Sequence, residues 1–421
     1  MIQPIQELVS TIFILLLIAL GVYLLSQRSN LPYTVMLVVV GIGINFASST
    51  VPALEQMGNT LQISPDLILF VFLPTLIFES SYNLDASQLR RNSVQILTLA
   101  IPGLLLSTAL IGLIIWKALD IDLIAALLLG ALLSSTDPIA VISLFRKIGA
   151  PSRLTSLIEG ESLFNDAAAL VASKILLTIM AAGVLSQDQL TNGALNFITL
   201  FFGGLLFGVV LGYLTGKLIG WIDSDPILEI GITTALAYLS FLIAEEVLHI
   251  SGIMATLGAG LTLGTWGKLR ITSSVRVYFE HFWTVLAFAA NSFLFLLLGM
   301  QVDLISLVSA WDLVLWVILA MLVSRALVIF GLLPIVNMLP KVEPIGIKYR
   351  FIMFWGGLRG AISLAIVLSL PDYPFKDIFI ALVTGAVLFT LLVQGLTMPL
   401  ALRKLTLDKP PLADRLALLE R

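Results

Sequence analysis

Long apolar segments, separated by short polar or charged breaks, run along almost the whole chain. A helix needs about 20 apolar residues to cross the ~30 Å hydrocarbon core of a bilayer, and the breaks divide the chain into thirteen segments of roughly this length. Their predicted limits are 4–26, 31–48, 65–84, 93–116, 122–145, 155–181, 195–220, 226–248, 250–266, 279–301, 307–332, 347–370 and 377–401. The pattern predicts an all-α polytopic membrane protein with a short cytoplasmic tail over 402–421.

The composition agrees with this fold class and excludes several functions. Hydrophobic residues make up 59% of the chain and charged residues 12%, whereas a soluble domain has about 25% charged residues. The net charge of −3 leaves no basic surplus, so nucleic acid is not an expected partner. Because the chain has no cysteine, disulfides, thiolate metal sites and cysteine nucleophiles are excluded, and we expect no cofactor.

The basic residues fall unequally on the two sides of this topology. Eighteen of the 23 Lys and Arg residues lie on one side, and only Lys117 and Lys376 lie on the other. Because cytoplasmic loops retain positive charge, we predict an N-terminus outside and a C-terminus in the cytoplasm, in the plasma or inner membrane of the cell. The first segment has no basic residue before its apolar run and is predicted to be a retained span.

Seven ionisable residues lie inside the predicted spans. They are Glu79, Asp137, Glu161, Asp166, Lys174, Arg325 and Arg359. A charge near the bilayer centre costs a few kcal/mol or more, so each is a functional candidate, with a structural salt bridge as the alternative for any single pair. Lys174 lies eight residues beyond Asp166 and is expected to extend toward the outer interface.

The fifth segment contains a proline directly after a polar run, Ser134-Ser135-Thr136-Asp137-Pro138. The proline ring removes an amide hydrogen and clashes with a preceding carbonyl, so the helix is predicted to break there. A broken helix at membrane depth is tolerated where its free backbone groups line a cavity or meet protein partners. Such helices build the ion sites of secondary transporters.

The sixth segment places two polar pairs side by side. At 100° per residue, Ser162 and Asp166 share one stripe of the helix, and Glu161 and Asn165 share the adjacent one. The alanines over 167–169 allow a neighbouring backbone to come close. The pattern indicates a tight inward-facing site rather than a wide aqueous pore.

The twelfth segment contains a second candidate break, Gly356-Gly357-Leu358-Arg359-Gly360. It lies seven spans after the first break, and an odd offset reverses orientation, so the pattern predicts inverted six-helix repeats, spans 1–6 and 8–13, with broken crossing helices at spans 5 and 12. In span 7, glycine recurs every fourth residue from Gly204 to Gly220, which favours close packing against another helix. That helix can belong to the same protomer or to a second one.

Together these motifs resemble the NhaP-type sodium/proton antiporters, the electroneutral branch of the monovalent cation:proton antiporters. The resemblance covers nearly the whole chain, including the number and order of the spans. The motifs that carry it are Phe78-Glu79, Thr136-Asp137-Pro138, Glu161-Ser162-x-x-Asn165-Asp166 and Gly356-Gly357-Leu358-Arg359-Gly360.

The resemblance implies a homodimer in which a core bundle, about 93–181 and 307–401, moves against an interface bundle, about 4–84 and 195–301. It implies that Asp166 binds the ion and the proton. The shell of the monovalent cation would be completed by Ser162, Glu79 and the backbone of Thr136. Asp137 would reach the cation through water. The resemblance also implies supporting roles for three residues. Asn165 replaces a second aspartate of electrogenic relatives, Glu161 pairs with Arg325, and Arg359 lies beside the crossed breaks.

We therefore predict a secondary active transporter, not an enzyme. It would exchange a monovalent cation for H⁺ one to one by alternating access, with both ions competing for Asp166. Na⁺ or Li⁺ is the favoured cation, and K⁺ is the alternative. An intramembrane aspartyl protease using Asp137 and Asp166 is a more distant alternative that lacks the Gly-x-Gly-Asp signature. A channel is disfavoured because the acids occur once and asymmetrically.

Overall fold

A computed structural model of the chain describes residues 2–29, 31–48, 67–119, 121–182, 187–221, 225–269, 273–370 and 375–408. These residues form helices joined by short connections, and no strand occurs among them. The predicted all-α class is therefore confirmed. The helices are α1 (Ile2–Arg28), α2 (Tyr33–Ser48), α3 (Ile68–Asn83), α4 (Ala86–Arg91), α5 (Ser93–Leu119), α6 (Leu123–Ser134), α7 (Ile139–Ile148), α8 (Ser152–Ala182), α9 (Gln187–Ile219), α10 (Pro226–Val247), α11 (Gly252–Thr265), α12 (Ser273–Met300), α13 (Leu304–Ser309), α14 (Trp311–Val336), α15 (Ile347–Trp355), α16 (Ala361–Ser369) and α17 (Lys376–Lys404).

Nine helical stretches in the described part of the chain are long and apolar enough to cross a membrane, with α6 and α7 taken together as one of them. Three shorter apolar helices, α2, α3 and α11, have 10–17 residues. The protein is thus an integral membrane protein, while the count of thirteen spans stays a prediction. Helix α17 continues through Lys404, and residues 409–421 of the predicted tail lie outside the described residues.

Both predicted helix breaks are present. Helix α6 ends at Ser134 and α7 begins at Ile139, with Pro138 as its N-cap. Helix α15 ends at Trp355 and α16 begins at Ala361 after Gly360. Each break leaves backbone groups without helical partners at a buried position, and these groups form the site described below.

The helices pack in two groups. One group contains α5, α6, α8, α14, α16 and α17, and the other contains α2, α3, α9, α10, α11 and α12. Helix α8 lies between them, because it packs against α6 on one side and against α9, α11 and α3 on the other. The division into a core bundle and an interface bundle that move against each other stays a prediction.

The glycine stripe of α9 packs against α11 of the same chain. Gly208 lies against the backbone of Ala255, so closely that a Cβ atom would overlap it, and Gly212 lies against Ala259 and Thr262. Small residues allow two helix backbones to approach at this distance. The stripe therefore belongs to the interior of one protomer.

Lys174 is held by a partner from another helix. Its ammonium group forms an ion pair with Glu245 of α10, and the second carboxylate oxygen of Glu245 accepts the N–H of Gly252 at 3.0 Å. The partner lies 71 residues away along the chain, beyond the reach of a local pattern, and the position of Lys174 relative to the outer interface stays a prediction. The pair ties α8 to α10.

Candidate ion-binding site

The first break directs its polar groups toward Asp166 on α8. The Ser135 hydroxyl donates a hydrogen bond to Asp166 Oδ1 at 2.5 Å, and the Ser162 hydroxyl donates to the carbonyl of Thr136. Asn165 Nδ2 donates to the Ser134 carbonyl at 3.1 Å. Asp166 is only 6% exposed, so a carboxylate there would be costly without the hydrogen bond from Ser135. The two predicted stripes of α8 thus meet the unwound segment of the neighbouring helix.

The second break crosses the first and brings a buried guanidinium to it. Arg359 is 1% exposed, and its Nη1 donates to the carbonyls of Ser134 at 3.1 Å and Ser135 at 2.9 Å. These carbonyls lie at the carboxyl end of α6, where the helix dipole is negative and favours a cation. The Arg359 amide in turn donates to Thr390 Oγ1 on α17 at 3.0 Å. Arg359 therefore offsets the negative dipole at the end of α6, next to the serine that bonds Asp166.

Asp137 holds the two breaks together. Its N–H donates to the Leu358 carbonyl at 2.8 Å, and its Oδ1 accepts the N–H of Ile139 at 2.9 Å, which caps the start of α7. Gly360 packs directly against the Asp137 side chain, at a distance that leaves no room for a Cβ atom. The observed role of Asp137 is thus to join the crossing segments and to cap a half-helix.

Glu161 and Arg325 form a buried ion pair next to the site. Both carboxylate oxygens of Glu161 accept from the guanidinium, and Arg325 Nη2 also donates to the Met353 carbonyl at 2.9 Å. A Cβ atom at Gly357 would lie 2.8 Å from Arg325 Nε. The pair therefore joins α8 and α14 and supports the second break.

Glu79 lines a neighbouring cavity and is not part of the hydrogen-bond network around Asp166. It accepts a hydrogen bond from Asn83 Nδ2 at 2.8 Å and lines a cavity of about 170 Å³ with Pro138, Arg146 and Glu159. This cavity lies between α3, α7, α8 and α12. The structure thus brings Asp166, Ser162, Asn165 and Thr136 into one network and leaves Glu79 outside it.

Two hydroxyl groups were not singled out by the sequence. Ser135 bonds Asp166 directly, and Ser363 of α16 donates to the Leu132 carbonyl at 2.7 Å, across the crossing. Three consecutive hydroxyl residues before Pro138 were a visible signal for Ser135. Periodicity does not fix side-chain directions in an unwound segment, however, so the signal did not say which hydroxyl faces the acid.

The sequence profile of one family matches almost the whole chain. Residues 13–404 match the family described as "Sodium/hydrogen exchanger, transmembrane". The chain belongs to the sodium/hydrogen exchanger family. Among the relatives of this exchanger, the Na(+)/H(+) antiporter ApNhaP of Aphanothece halophytica is 38% identical over 96% of this chain and 76% of its own length. The Na(+)/H(+) antiporter NhaG of Bacillus atrophaeus is 33% identical over 94% of this chain and 75% of its own.

A solved structure supports the same fold. The sodium proton antiporter MjNhaP1 from Methanocaldococcus jannaschii matches the exchanger with a TM-score of 0.76, over 96% of this chain and 99% of its own, at 20% identity. The recognised resemblance to NhaP-type antiporters is confirmed by the family match and by these relatives. The family consists of transporters rather than enzymes.

Proposed function

We propose that this exchanger moves a monovalent alkali cation and a proton in opposite directions across the membrane, with both ions competing for Asp166. The observation that carries the proposal is the position of this carboxylate. It is buried beside an unwound segment and receives the Ser135 hydroxyl. A buried carboxylate is tolerated when it is neutralised, and either a proton or a monovalent cation neutralises it.

The oxygen atoms around Asp166 suit a hard alkali cation, for which oxygen is the preferred ligand type. The Ser162 hydroxyl donates to the Thr136 carbonyl beside the acid, and by turning this hydrogen away it would let a cation bind between the two oxygens while the hydroxyl keeps its proton. Glu79 lies in the adjacent cavity and would join the shell from that side. We expect Na⁺ or Li⁺, and K⁺ is the alternative with the same oxygen chemistry.

The charge balance favours one proton for each cation. Asn165 carries no titratable proton, and the charge of Arg325 is balanced by its ion pair with Glu161. Asp166 is then the group whose occupancy changes, and each cycle moves no net charge. The resulting exchange is electroneutral.

Alternating access is supported by an asymmetry along α8. On the Arg146 side, the cavity beside Glu79 reaches Pro138, next to the site. Beyond Asp166 on the same helix, the Lys174–Glu245 ion pair joins the two groups of helices. Assigning the basic side of the topology to the cytoplasm places the N-terminus outside. The protein would form a homodimer in the cell membrane, and its core bundle would move against the interface bundle along α8.

The contacts of the two acids argue against the protease alternative. An aspartyl dyad requires two carboxyl groups that share one proton. Here Asp137 Oδ1 accepts the Ile139 amide, and Asp166 Oδ1 accepts the Ser135 hydroxyl. Each acid is engaged by its own donor.

The experiment is exchange by the purified protein in proteoliposomes, with proton flux recorded under added Na⁺, Li⁺ or K⁺ and with the membrane potential set by a K⁺ diffusion gradient in the Na⁺ and Li⁺ experiments. The wild-type rate should not depend on the potential, and Asp166→Asn should abolish exchange. The matched control is Asp312→Asn, which changes an exposed residue in the first turn of α14. Exchange that survives in Asp166→Asn would refute the site, and charge movement would refute the stoichiometry.

A further inference from the structure

The cavity beside Glu79 contains a second acid that the site above does not use. Glu159 of α8 lines this cavity and is 7% exposed. Within the described ranges it forms no hydrogen bond and no ion pair, so the carboxylate is aimed into the cavity without a partner. A buried carboxylate in this state needs a cation, a proton or water to stabilise it.

The position of Glu159 on α8 links the cavity to the site. Residues 159, 162 and 166 are spaced three and seven positions apart and therefore share one face of the helix. Seven residues of helix rise by about 10 Å, which places Glu159 two turns before Asp166. Pro138 of the first break also lines the cavity. The cavity thus leads from Glu159 toward the ion-binding network.

The lining provides oxygen ligands for a partly hydrated cation. Besides the two acids, Ser80, Ser143 and Asn291 line the cavity, and Asn291 Oδ1 is a buried acceptor that has no hydrogen-bond partner among the described residues. The volume of about 170 Å³ accommodates a small cation together with several waters. Two carboxylates with hydroxyl and amide side chains around one cavity are a ligand set for a hard cation rather than for an anion.

The charged side chains around the cavity determine the sign of its net charge. Arg146, an exposed residue near the end of α7, lines the same cavity. It interacts electrostatically with both Glu79 and Glu159, but it forms no direct ion pair with either in the described structure. Two carboxylates against one guanidinium leave the cavity with a net negative charge when both are ionised. A narrow negative cleft concentrates cations, because low-dielectric walls focus the field.

We propose that Glu159, together with Glu79, forms an entry site on the Arg146 side, where a partly hydrated alkali cation binds before it reaches Asp166. The inference rests on the proposed exchange function and on the cytoplasmic assignment of the basic side. Glu159 is then the residue that sets the apparent affinity for the cation from the cytoplasm, while the exchange step itself takes place at Asp166.

The test compares the two faces of the membrane. Na⁺-driven proton flux is measured in everted vesicles, which expose the cytoplasmic face, and in right-side-out vesicles. Glu159→Gln should raise the KM for Na⁺ at the cytoplasmic face roughly tenfold. The maximal rate and the KM at the outer face should change by less than about twofold. Glu159→Asp keeps the charge and should keep most of the affinity. Glu280→Gln, which removes an acid of α12 paired with Lys268 outside the cavity, is the control.

A second variant gives the opposite sign. Arg146→Gln removes the positive charge from the cavity and should lower the cytoplasmic KM several-fold, which a purely structural role for these residues would not produce. An unchanged cytoplasmic KM in Glu159→Gln, or an equal rise at both faces, would overturn the entry site while leaving the exchange function intact. Absence of exchange in the wild-type protein would overturn both.

Discussion

The two interrupted helices contribute different things to the site. The interruption over 135–138 is made by a proline, and it turns hydroxyl and carbonyl groups toward Asp166. The interruption over 356–360 is made by glycines, and it brings Arg359 and close backbone packing. One break therefore supplies hydroxyl and carbonyl groups, and the other supplies positive charge and close backbone packing. The two breaks cross each other but differ in chemistry.

The largest effect on this arrangement is expected from Glu161→Gln. The substitution leaves the Arg325 guanidinium buried without its carboxylate, directly beneath the second break, and should cost about 3–5 kcal/mol of stability. Arg325→Gln should cost a similar amount. The double variant should lose clearly less than the sum of the two, as measured by thermal unfolding in detergent. Additive losses would show that the pair does not support the second break.

Gly360→Ala tests the close contact between the breaks. An added Cβ would overlap the Asp137 side chain and force the crossing segments apart, so we expect a loss of about 1–3 kcal/mol and a fall in exchange rate. Gly231→Ala of α10, where nothing lies within 4 Å of the added carbon, should be neutral or stabilising. Equal behaviour of the two variants would rule out the tight crossing.

The smallest effect, and the sharpest one, comes from deleting one hydroxyl at each break. Ser135→Ala and Ser363→Ala each remove one hydrogen bond and should each cost about 1 kcal/mol of stability. Only Ser135→Ala should also raise the KM for Na⁺ several-fold, because Ser135 bonds the carboxylate that we propose as the ion-binding group. A matching KM change in Ser363→Ala would remove the functional difference between the breaks.

Much of this fold could be predicted because membrane helices carry their signals locally. Apolar runs mark the helices, Pro138 marks the first break and the glycines over 356–360 mark the second. The spacing of Ser162, Asn165 and Asp166 also placed these residues on adjacent faces of α8. These features depend on residues within two or three turns of one another.

The remaining features depend on contacts between distant segments. The partner of Lys174 is Glu245 of another helix, and the cavity at Glu159 is lined by residues from four helices. Ser135 contacts Asp166 only because the unwound segment over 135–138 lies beside α8. Neither hydropathy nor helical period encodes which side chains meet across such distances, so these contacts required the three-dimensional structure.

The most direct test of a carboxylate shared by two ions is Na⁺ binding to the purified protein by calorimetry at several pH values. Competition at Asp166 predicts that one proton is released for each Na⁺ bound, and that the apparent Kd rises about tenfold for each unit of falling pH below the titration of the site. Asp166→Asn should neither bind Na⁺ at this site nor release a proton. Na⁺ binding without proton release, or release that persists in Asp166→Asn, would contradict the account.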